Sequence, residues 1–551
     1  MKENGIPTKK LLRWLLHNAR NAKGQAIANI VIGLIDVACK LLWVVACKHS
    51  IDIATGETVG SLTTIGIFIG ALMAMEIIAR ATSRWIYSVI GNKIRNNLRL
   101  KVFARLLKCD WLHLYKRHTG DLVNRLEGDV NNITQLVSNI IPATFVVLIQ
   151  LIASFGLLFY MSPMLATSVI IILPVCILAS RFYVDRMRLY NREIRNSDSK
   201  IQAIMQESLQ HKEVIKAMEQ NSSTELRLEN LQDTLHTQIS RRTKFSIGSY
   251  TLIQAGFAIG YLVAFMWGVI GLRDAVITYG TMAAYLQLVG LIQNPTIDLS
   301  RYIPGIASSL TAIERVCELE DIPLEQQGEN IMFEDTAGAR FTNVTFSYEE
   351  GSRNILDNFS YDFPPESITA IVGETGAGKT TLLRLLIALA TPHDGNIELY
   401  NNKEAHRAST LTRSNIVYIP QGNSLISGTI RENLLMGNPN ATEEQMKEAL
   451  HTACAEYVLD LPDGLDSIIA ESGGGVSEGQ AQRIAVARSL LRKGSILILD
   501  EVTSALDEET EQEMLKRLTR NKIGKTLIFV THRPAVIKHC NQVLKIVRTK
   551  A

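Results

Sequence analysis

Six apolar stretches in the first 305 residues constrain this chain more than any other feature, because each is long enough to cross about 30 Å of hydrocarbon as a helix. They are Ala26–Ala46, Ser61–Ala79, Val137–Met161, Met164–Ser180, Thr251–Leu272 and Thr278–Gly305. One such stretch alone reads equally well as a core helix of a soluble protein; six in succession do not. The last of them also carries Gln287, Gln293 and Pro295. The basic N-terminus is followed by a span without a small-residue cleavage site, which argues against a secretory signal.

Charge sets the expected orientation. Lys9, Lys10, Arg13, Arg20 and Lys23 precede the first stretch, which places the N-terminus in the cytoplasm. Connections after the first, third and fifth stretches are short and carry little positive charge. Those after the second and fourth, Arg80–Leu136 and Arg181–Tyr250, are long, helical in pattern and rich in Lys and Arg, so both are expected inside. With 551 residues the chain is too long for one core. Its seven cysteines show no CxxC spacing, which fits neither a zinc site nor a disulfide framework and suits a reducing cytosolic face. A net charge of +3 decides nothing about nucleic acid.

The texture changes at "EDIPLEQQGENIMFEDTAGA", which is acidic and without apolar periodicity. Beyond it, "SITAIVG", "NIVYIP", "SILILD" and "KTLIFVTH" are apolar runs of the kind buried in an α/β sheet. The expected division is a cytoplasmic segment 1–24, a transmembrane domain 25–318, a linker 319–338 and a soluble domain 339–551.

The first of those runs leads into "GETGAGKTT": Gly373, Glu374, Thr375, Gly376, Ala377, Gly378, Lys379, Thr380 and Thr381. A strand before it and a helix after it fit a phosphate-binding loop. The glycines let backbone N–H groups wrap a phosphate chain, Lys379 supplies a point charge, Thr380 can reach Mg2+, and the helix adds its positive end. "SILILDEVTSALD" places Asp500 at a strand end, where it can hold Mg2+ through water, and Glu501 beside it, where it can polarise an attacking water. Alone, an Asp-Glu pair there serves equally well as a helix cap; behind a phosphate loop, catalysis is the better reading. His532 ends another apolar strand and can reach a terminal phosphate. Gln421 follows "YIP" and can sit at the metal, and Tyr348 in "VTFSYEEG" offers a flat surface for a base. Each of these, taken singly, is as readily structural.

In this order the motifs resemble an ATP-binding cassette exporter half-transporter over almost the whole length. The expected fold is a six-span α-helical transmembrane domain with long cytoplasmic helical loops, followed by an α/β P-loop ATP-binding cassette domain. "HTGDLVNRLEGDV" and "QESLQHKEVIKAMEQ" are similar to the family's coupling segments, placed near 114–122 and 206–214. The resemblance implies ATP and Mg2+ as ligands, Glu501 as general base and His532 as a γ-phosphate contact. It also implies a bacterial cytoplasmic membrane with both termini inside, and a second half-transporter chain as partner. A homodimer is expected and a heterodimer is the alternative. Each ATP would meet the opposite chain's signature turn, here Ser477, Glu478, Gly479 and Gln480, with Asp507 in a cross-dimer link. No nucleic-acid partner is expected. The family usually continues beyond "RPAVIKHCNQVLKIVRTKA" through a β-hairpin and a helix.

The family's signature is Leu-Ser-Gly-Gly-Gln, so this chain departs at Val476 and Glu478. If Glu478 faced the γ-phosphate, repulsion of about a few kcal/mol would weaken closure. If it points away, it lies in the first turn of a helix, where acid is favourable by roughly 0.3–1 kcal/mol. Or the chain is the ATP-binding structural half of a heterodimer with one impaired site. The second reading is preferred, since Lys379, Gln421, Asp500, Glu501 and His532 are all present. In the spans, Asp36 and Lys40 stand one helical turn apart, as do Glu76 and Arg80. Intramembrane charges mark substrate paths by default, though a self-compensating i,i+4 pair is slightly the better reading. The substrate class left open is lipophilic or amphipathic: lipid, drug or small peptide.

Overall fold

The computed structural model describes residues 23–117, 119–349, 351–470, 475–520 and 524–547, together with 11, 13–15 and 17. The chain divides into two compact units. One comprises residues 1–103 and 119–320, the other 104–118 and 321–551.

Apart from short connections, the described residues of the first unit are helical. Its long elements are α1 (Lys23–Ala54), α2 (Leu62–Leu106), α4 (Thr119–Met161), α5 (Pro163–Gln210), α7 (Asn221–Arg273) and α8 (Tyr279–Glu320). A short helix α3 (Trp111–Tyr115) follows α2, and α6 (Lys212–Ala217) follows α5. Hydrocarbon offers no water to unpaired backbone groups, so an apolar run of this length closes its hydrogen bonds on itself as a helix. Among the described residues, α1, α2, α4 and α7 are long and apolar enough to cross a membrane. In α5, the side chains of residues 169–185 lie outside the described set. The helices run well past the apolar stretches, because the polar segments after the second and fourth of these stretches keep helical periodicity and continue α2 and α5. Two π turns, Arg125–Asp129 and Leu136–Ile140, interrupt α4.

Polar side chains inside the unit close on neighbouring backbones. Gln150 Nε2 donates to the Leu291 carbonyl at 3.4 Å, Gln293 Nε2 to that of Phe257 at 2.9 Å, and Tyr285 Oη to that of Met161 at 3.4 Å. This is how α8 accommodates Gln293. Val44, Leu158, Leu165, Ala264, Leu288 and Ile292 form the core between helices. Ile67, Ile152 and Leu252 are 76%, 72% and 69% exposed, the outward apolar face that a lipid solvent requires.

Residues 104–118, expected within the transmembrane domain, make their contacts in the second unit. The Asp110 N–H donates to the Pro323 carbonyl and the Glu325 N–H to that of Lys108, both at 2.9 Å. Among its described residues that unit holds three sheets. One is antiparallel, in the order β2 (Leu356–Phe363), β1 (Gly338–Phe346), β4 (Asp394–Tyr400), β5 (Ala405–Arg407). The central one is parallel, in the order β11 (Gln542–Ile546), β3 (Ile368–Gly373), β10 (Thr526–Val530), β9 (Ile496–Asp500), β6 (Ile416–Ile419). The third pairs β7 (Gly428–Thr429) with β8 (Ile468–Ile469). Every residue of β9 and β10 is buried, since side chains cover both faces of the sheet, which explains their unbroken apolar runs. Besides α3, the described α-helices of this unit are α9 (Lys379–Leu386), α10 (Ile430–Leu435), α11 (Glu443–Thr452), α12 (Glu478–Leu490), α13 (Glu508–Arg520) and α14 (Pro534–Lys538). Leu382, Leu383, Leu385 and Leu386 bury one face of α9 and anchor it below the β3 loop.

Gly373, the last residue of β3, pairs with Ile546 of β11, and a Cβ there would lie 2.4 Å from the Ile546 carbonyl oxygen. That atom is backbone in a sheet and cannot swing aside. Gly373→Ala is expected to destabilise this unit by roughly 1–3 kcal/mol. A lowered unfolding temperature in calorimetry checks it; an unchanged one means β11 shifts freely.

Candidate active site

Parallel strands deliver their carboxyl ends to one edge, so β3, β10, β9 and β6 bring together residues far apart in sequence. After β3 the chain turns through residues 373–378 into α9. Gly376 and Gly378 adopt φ of +79° and +103°, a left-handed backbone that glycine tolerates. Glu374, Thr375 and Thr380 are exposed on this turn, while Ala377, Lys379 and Thr381 are buried.

Lys379 is only 9% exposed and forms no ion pair among the described residues. Its Nζ donates to the Gly373 carbonyl at 2.6 Å and to His532 Nε2 at 2.7 Å, with the Glu374 carbonyl at 3.5 Å. An imidazole accepting at Nε2 is the neutral tautomer carrying its proton on Nδ1. Glu501 Oε1 lies 3.6 Å from the same His532 nitrogen, and Gln421 Nε2 donates to Glu501 Oε2 at 2.7 Å. Glu501 sits at φ +51°, with its N–H held by the Val530 carbonyl at 3.0 Å. A non-glycine residue in that region stores backbone strain that the surrounding structure must hold, as functional sites often do.

Asp500, at the end of β9, is 4% exposed. Burial pushes its carboxyl above the usual carboxylate range, and the neighbouring Glu501 pushes the same way; the Tyr418 hydroxyl opposes both. That hydroxyl donates to Asp500 Oδ2 at 3.2 Å. A buried carboxylate with one neutral donor suits a cation, so the residues fit Mg2+. Among the described residues no cluster of three His, Cys, Asp or Glu side chains stands ready for a metal. The ion would therefore complete its shell with phosphate oxygens and water beside Asp500, Thr380 and Gln421.

Tyr348 follows β1. Its hydroxyl accepts from Arg384 Nη1 at 2.8 Å and lies 3.3 Å from Thr381 Oγ1. Neither Arg384 nor Tyr418 was singled out by sequence. Both sit inside regular elements, where only their tertiary neighbours distinguish them from a solvated helix face and a strand residue.

Ser477, Glu478, Gly479 and Gln480 open α12. Ser477 caps it by accepting from the Gln480 N–H at 3.2 Å, and Gln480 Oε1 accepts from the Ser477 N–H at 2.8 Å. This reciprocal box occupies the Gln480 side chain, which the motif had pointed toward an opposing nucleotide. Glu478 is exposed in the first turn. Gly479 is buried, and a Cβ on it would lie 2.6 Å from the Ala505 carbonyl oxygen. Asp507 accepts from the Thr510 N–H at 2.9 Å, which holds its carboxyl below the usual range. No hydrogen bond or ion pair among the described residues joins these five to Lys379, Asp500, Glu501 or His532.

In the first unit, Asp36 pairs with Lys40 at 2.6 Å and Glu76 with Arg80, as the i,i+4 spacing predicts. Arg80 Nε also reaches Asp36 Oδ1 at 3.2 Å, so α1 and α2 share one chain of four charges. A cavity of about 280 Å3 beside it is lined by Asp36, Arg80, Ser83, Arg84, Tyr87 and Asn139. Another of about 390 Å3 is lined by Lys40, Trp43, Met73, Glu76, Gln287 and Asn294.

Two family models match the chain. "ABC transporter transmembrane region" covers residues 26–296 and "ABC transporter" covers residues 356–504. An "export ATP-binding/permease protein" of Rickettsia bellii is 26% identical over 541 residues, 97% of this chain and 94% of that protein. An "ATP-dependent lipid A-core flippase" of Desulfotalea psychrophila is 28% identical over 468 residues, 84% of this chain and 81% of its own length. A solved bacterial Atm1-family ABC exporter with ATP bound superposes with a TM-score of 0.80 at 23% identity, covering 96% of this chain and 94% of that one, which shows the fold.

The two glycine-pattern positions of the α12 turn separate cleanly. Gly479→Ala drives a Cβ into backbone and is expected to lower ATP turnover at least tenfold, whereas Glu478→Gly changes it by less than about threefold. Steady-state phosphate release checks both; a large gain from Glu478→Gly would show that its carboxylate opposes nucleotide.

Proposed function

The chain belongs to the ABC transporter family as an ATP-hydrolysing exporter, and from that premise we propose that it works as a dimer of half-transporters, moving a lipophilic or amphipathic substrate out of the cytoplasm. The reading places it in a bacterial cytoplasmic membrane with both termini inside and a second copy of itself as partner. Lys379 carries the argument: a buried ammonium, held by carbonyls and a neutral imidazole, directly after a glycine turn with left-handed backbone at Gly376 and Gly378. Such a cation without a counter-ion is costly, and a phosphate chain relieves it.

The residues then act as follows. Incoming phosphates draw Lys379 from the Gly373 carbonyl and from His532, whose imidazole then takes the other tautomer, with the proton on Nε2, and donates to the terminal phosphate. Gln421 releases Glu501, and the freed carboxylate accepts a proton from the attacking water. Mg2+, held through water by Asp500 with Thr380 and Gln421, would supply charge neutralisation between the outer phosphates. Tyr348 provides a face for the base. Ser477 and the Gly479 N–H are proposed to face the partner's nucleotide, with Asp507 in the cross-dimer link. Asp36, Lys40, Glu76 and Arg80 are proposed to line the substrate path, where a head bearing both charges can replace their mutual pairing. That the relatives include a lipid A-core flippase supports an amphipathic cargo.

The test is ATP hydrolysis by this chain alone in lipid. Glu501→Gln is expected to cut turnover by about 10²-fold or more while ATP still binds. A wild-type chain that binds but does not hydrolyse ATP without another protein would overturn the homodimer. Lys40→Met and Arg80→Met should blunt stimulation by amphipathic substrates without removing basal hydrolysis. Equal stimulation in both variants would remove these charges from the path.

A further inference from the structure

Arg384 lies five residues beyond Lys379 on α9 and is shared between two groups of aromatic rings. Its guanidinium carbon is 4.9 Å from the ring centre of Trp111, 4.9 Å from that of Tyr115 and 5.9 Å from that of Tyr348. Trp111 and Tyr115 stand one turn apart on α3 and are stacked, 4.7 Å between centres and 24° between planes. On the other side, Arg384 Nη1 donates to the Tyr348 hydroxyl at 2.8 Å.

The two ends of this contact differ in what they belong to. Tyr348 is the surface proposed for the base, and its hydroxyl also touches Thr381 in the first turn after the phosphate loop. α3 is packed in the second unit, yet the chain enters it from α2 and leaves it for α4, both of which cross the membrane by length and composition. The α3 segment is firmly seated. Asp110 accepts the His113 N–H at 3.1 Å, Glu325 is bonded to Lys108 through backbone, and Arg413 grips the Glu325 carboxylate with two donors, both at 3.0 Å. A change at Tyr348 therefore has one direct route to a segment covalently continuous with two spans.

We propose that Arg384 is a positioning residue that reports occupancy by the nucleotide's base to α3. A base stacking on Tyr348 moves the hydroxyl that holds one side of the guanidinium, and the cation redistributes over Trp111 and Tyr115. The phosphates meet Lys379 and the loop, whose one link to this hydroxyl among the described residues is the longer contact with Thr381 Oγ1 at 3.3 Å, and they are expected to leave it in place. The inference rests on the reading of Tyr348 as the base platform. It distinguishes ATP from a bare phosphate chain, which the phosphate loop alone does not.

The experiment uses the Glu501→Gln chain in lipid with Trp14, Trp43, Trp85 and Trp267 replaced by phenylalanine, leaving Trp111 as sole emitter. Each ligand is brought to saturation, measured separately with labelled ATP and by its displacement with inorganic tripolyphosphate. ATP is expected to change Trp111 emission by about a fifth or more, and tripolyphosphate to leave it unchanged. Arg384→Met should abolish the ATP response, and Arg384→Lys, which keeps a cation, should restore part of it. Hydrogen exchange of residues 104–117 in the chain with all its tryptophans is the second measurement, with protection expected from ATP and not from tripolyphosphate. If ATP binds and Arg384→Met still responds, or if tripolyphosphate gives the ATP response, the coupling is wrong while the nucleotide site stands. If ATP does not bind, both fall.

Discussion

The pairing of β10 between β3 and β9 fixes where the charged groups of the proposed nucleotide site stand. Ile371 lies opposite Val530, and Val530 opposite Asp500. The phosphate loop, His532 and the Asp500–Glu501 pair therefore leave the sheet at one level, within a residue or two of one another. Hydrogen bonds across the strand ends tighten this: the Glu501 N–H reaches the Val530 carbonyl, and the Thr531 N–H reaches that of Ile371 at 3.2 Å. The strained backbone of Glu501 follows from that grip, because a carboxylate that must project from the end of a buried strand has few conformations left. None of this requires a ligand; the sheet builds the geometry in advance.

Charge inside the site is arranged for a visitor. A buried ammonium at Lys379 and a buried carboxylate at Asp500 are neighbours without being a bonded pair, each instead held by neutral groups: carbonyls and an imidazole for one, the Tyr418 hydroxyl for the other. Direct pairing would satisfy both and close the site to anions. Keeping them apart leaves an anion-binding point and a cation-binding point side by side, which is what a metal-bound phosphate chain presents. Gln421 performs the same service for Glu501, occupying its carboxylate through a bond that a neutral amide can give up cheaply.

Much of this was legible in the sequence, for physical reasons that can be named. Unbroken apolar runs such as "ILILD" mark strands covered on both faces, and glycine spacing in "GETGAGKTT" marks a backbone that must bend left-handed at Gly376 and Gly378. The i,i+4 charges on α1 and α2 declared their own pairing, since one turn of helix fixes it. What stayed hidden depends on contacts between elements. Arg80 reaching across to Asp36, Tyr418 turning toward Asp500 and Arg384 lying among three rings are tertiary facts with no local pattern. The segment around α3 falls by position within the expected transmembrane domain, and only the resemblance of the coupling segment near 114–122 implies that it docks on the cassette. Its backbone bonds to Pro323 and Glu325 place it in the other unit, and amphipathic periodicity does not report a hydrogen bond across two hundred residues.

The α12 turn shows how one motif mixes obligatory and tolerant positions. Gly479 is obligatory for steric reasons: a Cβ on it would lie 2.6 Å from the Ala505 carbonyl oxygen, too close for any side chain. Ser477 and Gln480 are fixed by the capping box that starts the helix. Glu478 meets none of these demands. It stands exposed in the first turn, where the helix's positive end favours acid by roughly 0.3–1 kcal/mol. If, as proposed, a partner's phosphate faces the same helix end, the opposing repulsion at an exposed site in high dielectric and physiological salt falls to about 1 kcal/mol or less. The two terms nearly cancel so long as water reaches the carboxylate. Only closure that dries the turn makes the repulsion win, so the side chain's freedom to remain in solvent decides whether glycine at this position is a requirement or merely a habit of the motif.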